Sequence, residues 1–204
     1  MIATAVNELC KSTPFSNLTV DLICNSAGVS RSTFYKAFSD KYDICVWYQN
    51  LMIEGGMGEV GRTLTCRQGV RAAFEGFSCL KHLFNAMKDH PEAAIRTETS
   101  RVKHVQLFKD TFEEYHGIEV GGDLLFLMEW DVIAYLRTSM DWMMGYRSES
   151  LDEIVGLIAS SFSPDLLAVF DNPVNPIEDP APLLQRVVLA GSKEQPLQEA
   201  SPDR

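Results

Sequence analysis

Several things are scarce in this 204-residue chain, and each scarcity removes a class of function. Cysteine is the first. The five present are Cys10, Cys24, Cys45, Cys66 and Cys79; the count is odd and no two form a CxxC pair. That argues against a disulfide scaffold or a zinc ribbon and predicts free thiols in a reducing compartment. Histidine is scarce too. His82, His90, His104 and His116 include no short spacing such as HxxxH, so no metal site is expected. Positive charge is in deficit: 18 Lys and Arg stand against 28 Asp and Glu, a net charge of −10. A protein that coats nucleic acid non-specifically would carry the opposite balance. Long apolar runs are missing; the longest aliphatic stretch, Leu124–Met128, is far too short to cross a bilayer. The first residues lack a basic segment followed by an apolar one, so no secretory signal is expected. GxSxG, Walker A and dinucleotide glycine patterns are absent, and no nucleophile has a matched base. The expectation is a cytoplasmic protein that is not an enzyme and uses no cofactor.

What is present is an ordinary hydrophobic fraction, 46%, and a highly patterned N-terminal stretch. Ile2, Val6 and Leu9 recur at helical spacing and predict a first helix over 2–11, ended by Pro14. Thr19 is placed to cap a second helix, with Asp21 in its first turn, where a negative charge suits the helix dipole. Val20, Ile23, Cys24 and Ala27 share one face. Gly28 can take the left-handed conformation that stops a helix, Val29 plugs the turn, and Ser30 caps a third helix over Arg31 to Ala37. A helix, a turn of about 3–4 residues with Gly, and a second helix make the helix-turn-helix whose second helix enters the DNA major groove.

The pattern Thr19-Val20-x-x-Ile23-Cys24-x-x-Ala27-Gly28-Val29-Ser30-x-x-Thr33-Phe34-Tyr35-x-x-Phe38-x-x-Lys41 closely resembles the DNA-binding head of TetR/AcrR-type transcriptional regulators. The resemblance implies an all-α dimer: a three-helix N-terminal helix-turn-helix head and a helical C-terminal body for ligand binding and dimerisation. It implies double-stranded operator DNA as partner, a small-molecule effector, and repression as the default sign, although some members with this head activate. The expected DNA contacts are Thr19, Ser30, Arg31, Ser32, Thr33, Tyr35, Lys36 and Lys41. Arg31 is the best base reader, because guanidinium pairs bidentately with guanine O6 and N7. Tyr35, Lys36 and Lys41 read better as phosphate contacts that set position. Residues 1–46 are neutral overall: Lys11, Arg31, Lys36 and Lys41 balance Glu8, Asp21, Asp40 and Asp43. Modest, salt-sensitive affinity follows.

The organisation expected is a head over 1–46, a body over 47–170 and a tail over 171–204. Asp40 is placed to cap a connecting helix. Gly55, Gly56, Gly58 and Gly61 predict its end near Glu54, followed by either a flexible joint or a plain loop. Gln68 to Asp89 predicts an amphipathic helix. Glu92 to Gly117 predicts one or two more, with Val102, Val105, Phe108, Phe112 and Tyr115 inward. A long helix capped by Asp123 is apolar nearly all round, which demands cover from a partner chain as well as from its own body. Leu151, Ile154, Val155, Ile158 and Phe162 mark the next; by the resemblance, these last two long helices form the homodimer contact. The tail holds Pro173, Pro176, Pro180, Pro182, Pro196 and Pro202 of the nine prolines and predicts irregular, largely disordered chain around one apolar island, Leu183 to Leu189.

The body is rich in Met and aromatics, which suit either a plain core or a cavity for a hydrophobic or aromatic ligand. The candidate pocket residues are Met87, His104, Phe108, Phe112, Met128, Trp130 and Tyr135. Two other readings stay open: a ligand-independent regulator controlled by a protein partner, and an all-α carrier or enzyme with a vestigial head.

Overall fold

The computed structural model describes residues 2–78, 82–83, 85 and 92–179. Among them the chain is all-α, with no strand beyond an isolated bridge between Val60 and Leu64. The head holds α1 (Ile2–Leu9), α2 (Val20–Ala27) and α3 (Arg31–Ala37). Helix α4 (Asp43–Gly55) leads into the body, made of α5 (Cys66–Ser78), α6 (Glu92–Asp110), α7 (Gly122–Met143), α8 (Leu151–Ala159) and α9 (Pro164–Phe170). Met87, most of the helix expected to run to Asp89, and the apolar island of the tail lie outside the described residues.

Each head helix starts and stops where local chemistry directs. Thr19 Oγ1 accepts from Leu22 N at 3.2 Å, and Ser30 Oγ from Thr33 N at 3.0 Å, so both are helix caps. Gly28 sits at φ 68°, ψ 32°, and Val29 N reaches back to the Cys24 carbonyl at 3.0 Å. This left-handed stop turns the chain sharply enough for α3 to cross α2. Asp40 Oδ1 accepts from Tyr42 N and Asp43 N at 2.7 and 3.0 Å, closing the turn before α4.

One apolar core runs unbroken from head to body. Phe38 packs on Trp47 of α4 at 6.1 Å between ring centroids, and Asn7 of α1 accepts from Leu83 N at 3.2 Å. In the body α5 packs on α4 and α8, and α6 on α7. Phe108, Phe112, Phe162 and Phe170 meet at ring distances of 4.7–6.3 Å.

Several expectations change on contact with the structure. The glycine-rich segment is neither a loose joint nor an open loop. Helix α4 ends at Gly55, but Gly56, Met57, Gly58, Val60 and Gly61 are all buried. A Cβ on Gly69 of α5 would lie 2.1 Å from Val60 Cγ2 and 3.0 Å from the Gly56 carbonyl oxygen, so glycine lets this elbow seat against α5. On α6 the inward stripe is Ser100, His104 and Phe108, continued by Thr111 just beyond it; Val102 is 55% exposed. A π turn over Thr111–Tyr115 then shifts the phase and leaves Tyr115 42% exposed. Gly121, not Asp123, takes the capping position of α7. The first part of the expected tail is tied down: Val174, Asn175 and Ile177 donate backbone N–H groups to the carbonyls of Gly61, Arg62 and Thr63 at 2.8–3.2 Å.

Candidate nucleic-acid interface and a buried cavity

Helix α3 buries Phe34 and turns Arg31, Ser32, Thr33, Tyr35 and Lys36 to solvent. Ser30 and Thr33 share a hydroxyl–hydroxyl bond of 2.9 Å, and Thr19 and Ser30 are also engaged as caps. Hydroxyls so engaged are held in one rotamer.

The charged residues are less available than the sequence implies. Arg31 Nη1 donates to both carboxylate oxygens of Asp21 at 2.8 and 3.0 Å, and its guanidinium lies 5.8 Å from the Tyr35 ring centre. Arg31 therefore bridges α2 and α3, and its Nη1 is committed to Asp21. Lys41 corrects the expectation more strongly. Its Nζ donates to the carbonyls of Phe15, Ser16 and Leu18 at 2.8, 3.0 and 3.0 Å and lies over the Phe15 and Tyr42 rings. All three ammonium protons face acceptors inside the head, so Lys41 ties the turn before α2 to the start of α4 rather than standing ready for phosphate. Lys11 is paired with Glu8 at 2.6 Å. Among the described residues, Lys36 is the one cationic side chain of 2–46 with no internal partner.

The candidate pocket residues separate. His104 and Tyr135 come together, with ring centroids 5.3 Å apart. They line a small cavity with Ile53, Phe77, Ser100, Leu136, Ser139, Met140 and Met143. Phe108, Phe112 and Met128 are buried in the core and do not line it. Trp130 is a correction: its side chain is 64% exposed on the far side of α7, stacked on Phe126 at 6.4 Å. Helix α7 turns Met128, Val132, Tyr135, Ser139 and Met143 inward, and position 130 falls on the opposite face.

His104 is 1% exposed. Its Nδ1 lies 2.8 Å from the Ser100 carbonyl oxygen, which can only accept, so Nδ1 carries the proton. Burial pushes its pKa down to about 4, so the ring is neutral at pH 7 and Nε2 is a bare lone pair. Sequence reasoning missed Ser139, which stands between Thr138 and Met140. Its position one turn after Tyr135 was the available signal. Among the described residues no group of three or more His, Cys, Asp or Glu is placed to hold a metal ion, and no single helix is long and apolar enough to cross a membrane.

Comparison with known proteins gives the head its relatives. The family described as "Bacterial regulatory proteins, tetR family" matches residues 2–45. No curated protein matches the chain. Among solved structures, the "Dihydroxyacetone kinase operon activator DhaS" superposes with a TM-score of 0.58 at 16% identity. The match covers 83% of this chain and 93% of that one, a likeness of fold across head and body.

Proposed function

Because the chain is a DNA-binding transcriptional regulator with a tetR-family head, we propose that it acts in the cytoplasm as a homodimer reading a near-palindromic operator, with a small ligand in the body setting its affinity. The observation that carries this reading is the capped helix-turn-helix with the polar face of α3 turned to solvent. In the dimer two copies of α3 enter successive major grooves about 34–36 Å apart. Arg31, Ser32 and Thr33 face base edges; Tyr35, Lys36 and the caps Thr19 and Ser30 face the backbone. The functional division is a reading head over 1–46 and a ligand-binding and dimerisation body from 47, to which residues 171–179 belong.

Phe126, Trp130 and Ile133 of α7 and Leu157 of α8 are more than half exposed, a stripe that a second copy would cover. Ligand binding between α4 and the body would favour one head spacing over another, and the difference in operator affinity between the two states is the regulation. Repression is the sign proposed. The alternative, activation, has the name of the DhaS structure in its favour.

The test is a footprint on DNA flanking the protein's own gene, beside an Arg31→Ala/Tyr35→Ala double variant. A symmetric protected site lost in the variant supports the reading. If folded dimer protects nothing there and enriches nothing from random DNA, the reading fails. A promoter fusion with and without the protein decides the sign.

A further inference from the structure

The cavity between α4, α5, α6 and α7 holds an uncommon combination. His104 Nε2 is buried without a hydrogen-bond partner, and Ser139 Oγ, also buried, has only the Tyr135 hydroxyl beside it. Ser139 is 2% exposed. An unmet buried polar group costs about 1–3 kcal/mol, so the bare His104 Nε2, facing the same space as Ser139, marks a place built to be occupied. The open volume is about 20 Å³, enough for about one water-sized group. The remaining walls are Ile53, Phe77, Tyr135, Leu136, Met140 and Met143, with the Tyr135 hydroxyl engaged by Ser139. The two methionines are the flexible part of that wall and can give way to a hydrocarbon group attached to whatever fills the polar end.

The polar atoms dictate the chemistry of the occupant. With Nδ1 committed to the Ser100 carbonyl, Nε2 only accepts, so the occupant must donate. Ser139 donates or accepts, so the same occupant atom can satisfy both. A carboxylate brings no proton and meets a lone pair. An ammonium brings protons, but no carboxylate lines the cavity to balance its charge. A hydroxyl meets every demand.

We propose that this cavity recognises a neutral hydroxyl compound, an alcohol or phenol, whose O–H donates to His104 Nε2 and whose oxygen accepts from Ser139, with its hydrocarbon part against Met140, Met143, Phe77 and Ile53. The proposal rests on the ligand-regulated reading above and names the ligand class. Its place in the fold makes regulation direct. Ile53 belongs to α4, which leads out of the head, and Glu54 is paired with Lys103, the residue before His104, at 2.5 Å. An occupant larger than water displaces α4 relative to α6, and α4 carries the head.

The test uses the full chain with phenol and cyclohexanol against toluene, methylcyclohexane and benzoate. Calorimetry gives affinity, and the ¹⁵N signal of the His104 ring reports a donor arriving at Nε2. Expected are a shift of that signal by at least one hydroxyl probe, a preference of at least tenfold over its hydrocarbon counterpart, and no binding of benzoate. His104→Phe and Ser139→Ala, each checked for folding by circular dichroism, should both abolish the preference. Equal binding of hydroxyl and hydrocarbon probes overturns the proposal. So does a preference that survives both variants, or a His104 signal that no hydroxyl probe moves, which leaves a structural water as the sole occupant. Operator binding is followed separately. Hydroxyl binding that leaves operator affinity unchanged overturns ligand regulation but not the site; failure of all probes with operator binding intact overturns the site but not the regulator.

Discussion

Replacing His104 with glutamine should flatten the dependence of folding stability on pH between about 5 and 7.5. In the folded chain burial holds the imidazole pKa at about 4, against 6.5 for the ordinary group. As pH falls the unfolded chain takes up the proton first, so it binds more protons than the native state and stability drops. The contribution is fully present above about pH 6.5 and is lost as pH falls through about 4. With those two values, His104 alone removes about 1.3 kcal/mol between about pH 7.5 and pH 5.5, and about 3 kcal/mol once both states are protonated. Urea unfolding of both proteins across this range, at one protein concentration, gives the difference directly. Groups that titrate equally in both proteins cancel. Parallel curves for the parent and the His104→Gln variant would refute the assignment of a buried, neutral imidazole. A variant curve that falls more steeply than the parent would refute the sign.

Three further outcomes are expected. Lys41→Met should destabilise the chain by about 2–3 kcal/mol in urea unfolding, because three carbonyls lose a charged donor and methionine restores only the packing; a cost under about 0.5 kcal/mol would show that these bonds are not held in solution. Asp21→Asn should tighten operator binding in a fluorescence anisotropy titration, since it frees Arg31 and removes a negative charge beside the reading face; weaker binding by a folded variant would mean the ion pair positions Arg31 instead of withholding it. Gly69→Ala should lower stability by about 1–3 kcal/mol or more, because its Cβ would meet Val60 Cγ2 at 2.1 Å and the elbow backbone behind it; a melting temperature equal to the parent's would show that the elbow yields freely.

The head was legible because its rules are local. Thr19, Gly28 and Ser30 each act on neighbours within a few positions, and the apolar spacing around them admits one folding. The body hides its orientation for the opposite reason. Helix α7 is apolar on both sides, so no periodicity distinguishes Tyr135, which faces the cavity, from Trp130, which faces out. Helix α6 misleads in a second way. Its buried stripe contains Ser100 and His104 and runs on to Thr111 beyond its end, and an apolar count passes over all three in favour of Val102. Lys41 illustrates a third limit. Its partners are carbonyls 23 to 26 positions away, and nothing in residue type announces a backbone acceptor.

The three bonds from residues 174–177 to residues 61–63 bear on the order in which the protein can be made. The helix-turn-helix closes on contacts within its first few dozen residues, so it can assemble while the rest is still being synthesised, although Asn7 of α1 waits for the Leu83 amide. The elbow beyond α4 cannot. Its carbonyls at Arg62 and Thr63 wait for donors more than a hundred positions later, Gly61 gains such a donor besides His116, and the first amide of α5 waits equally long for Asp171. During translation there is therefore an interval in which a formed helix-turn-helix is attached to an unfinished body. Only with Ile177 in place is the elbow's set of backbone partners complete.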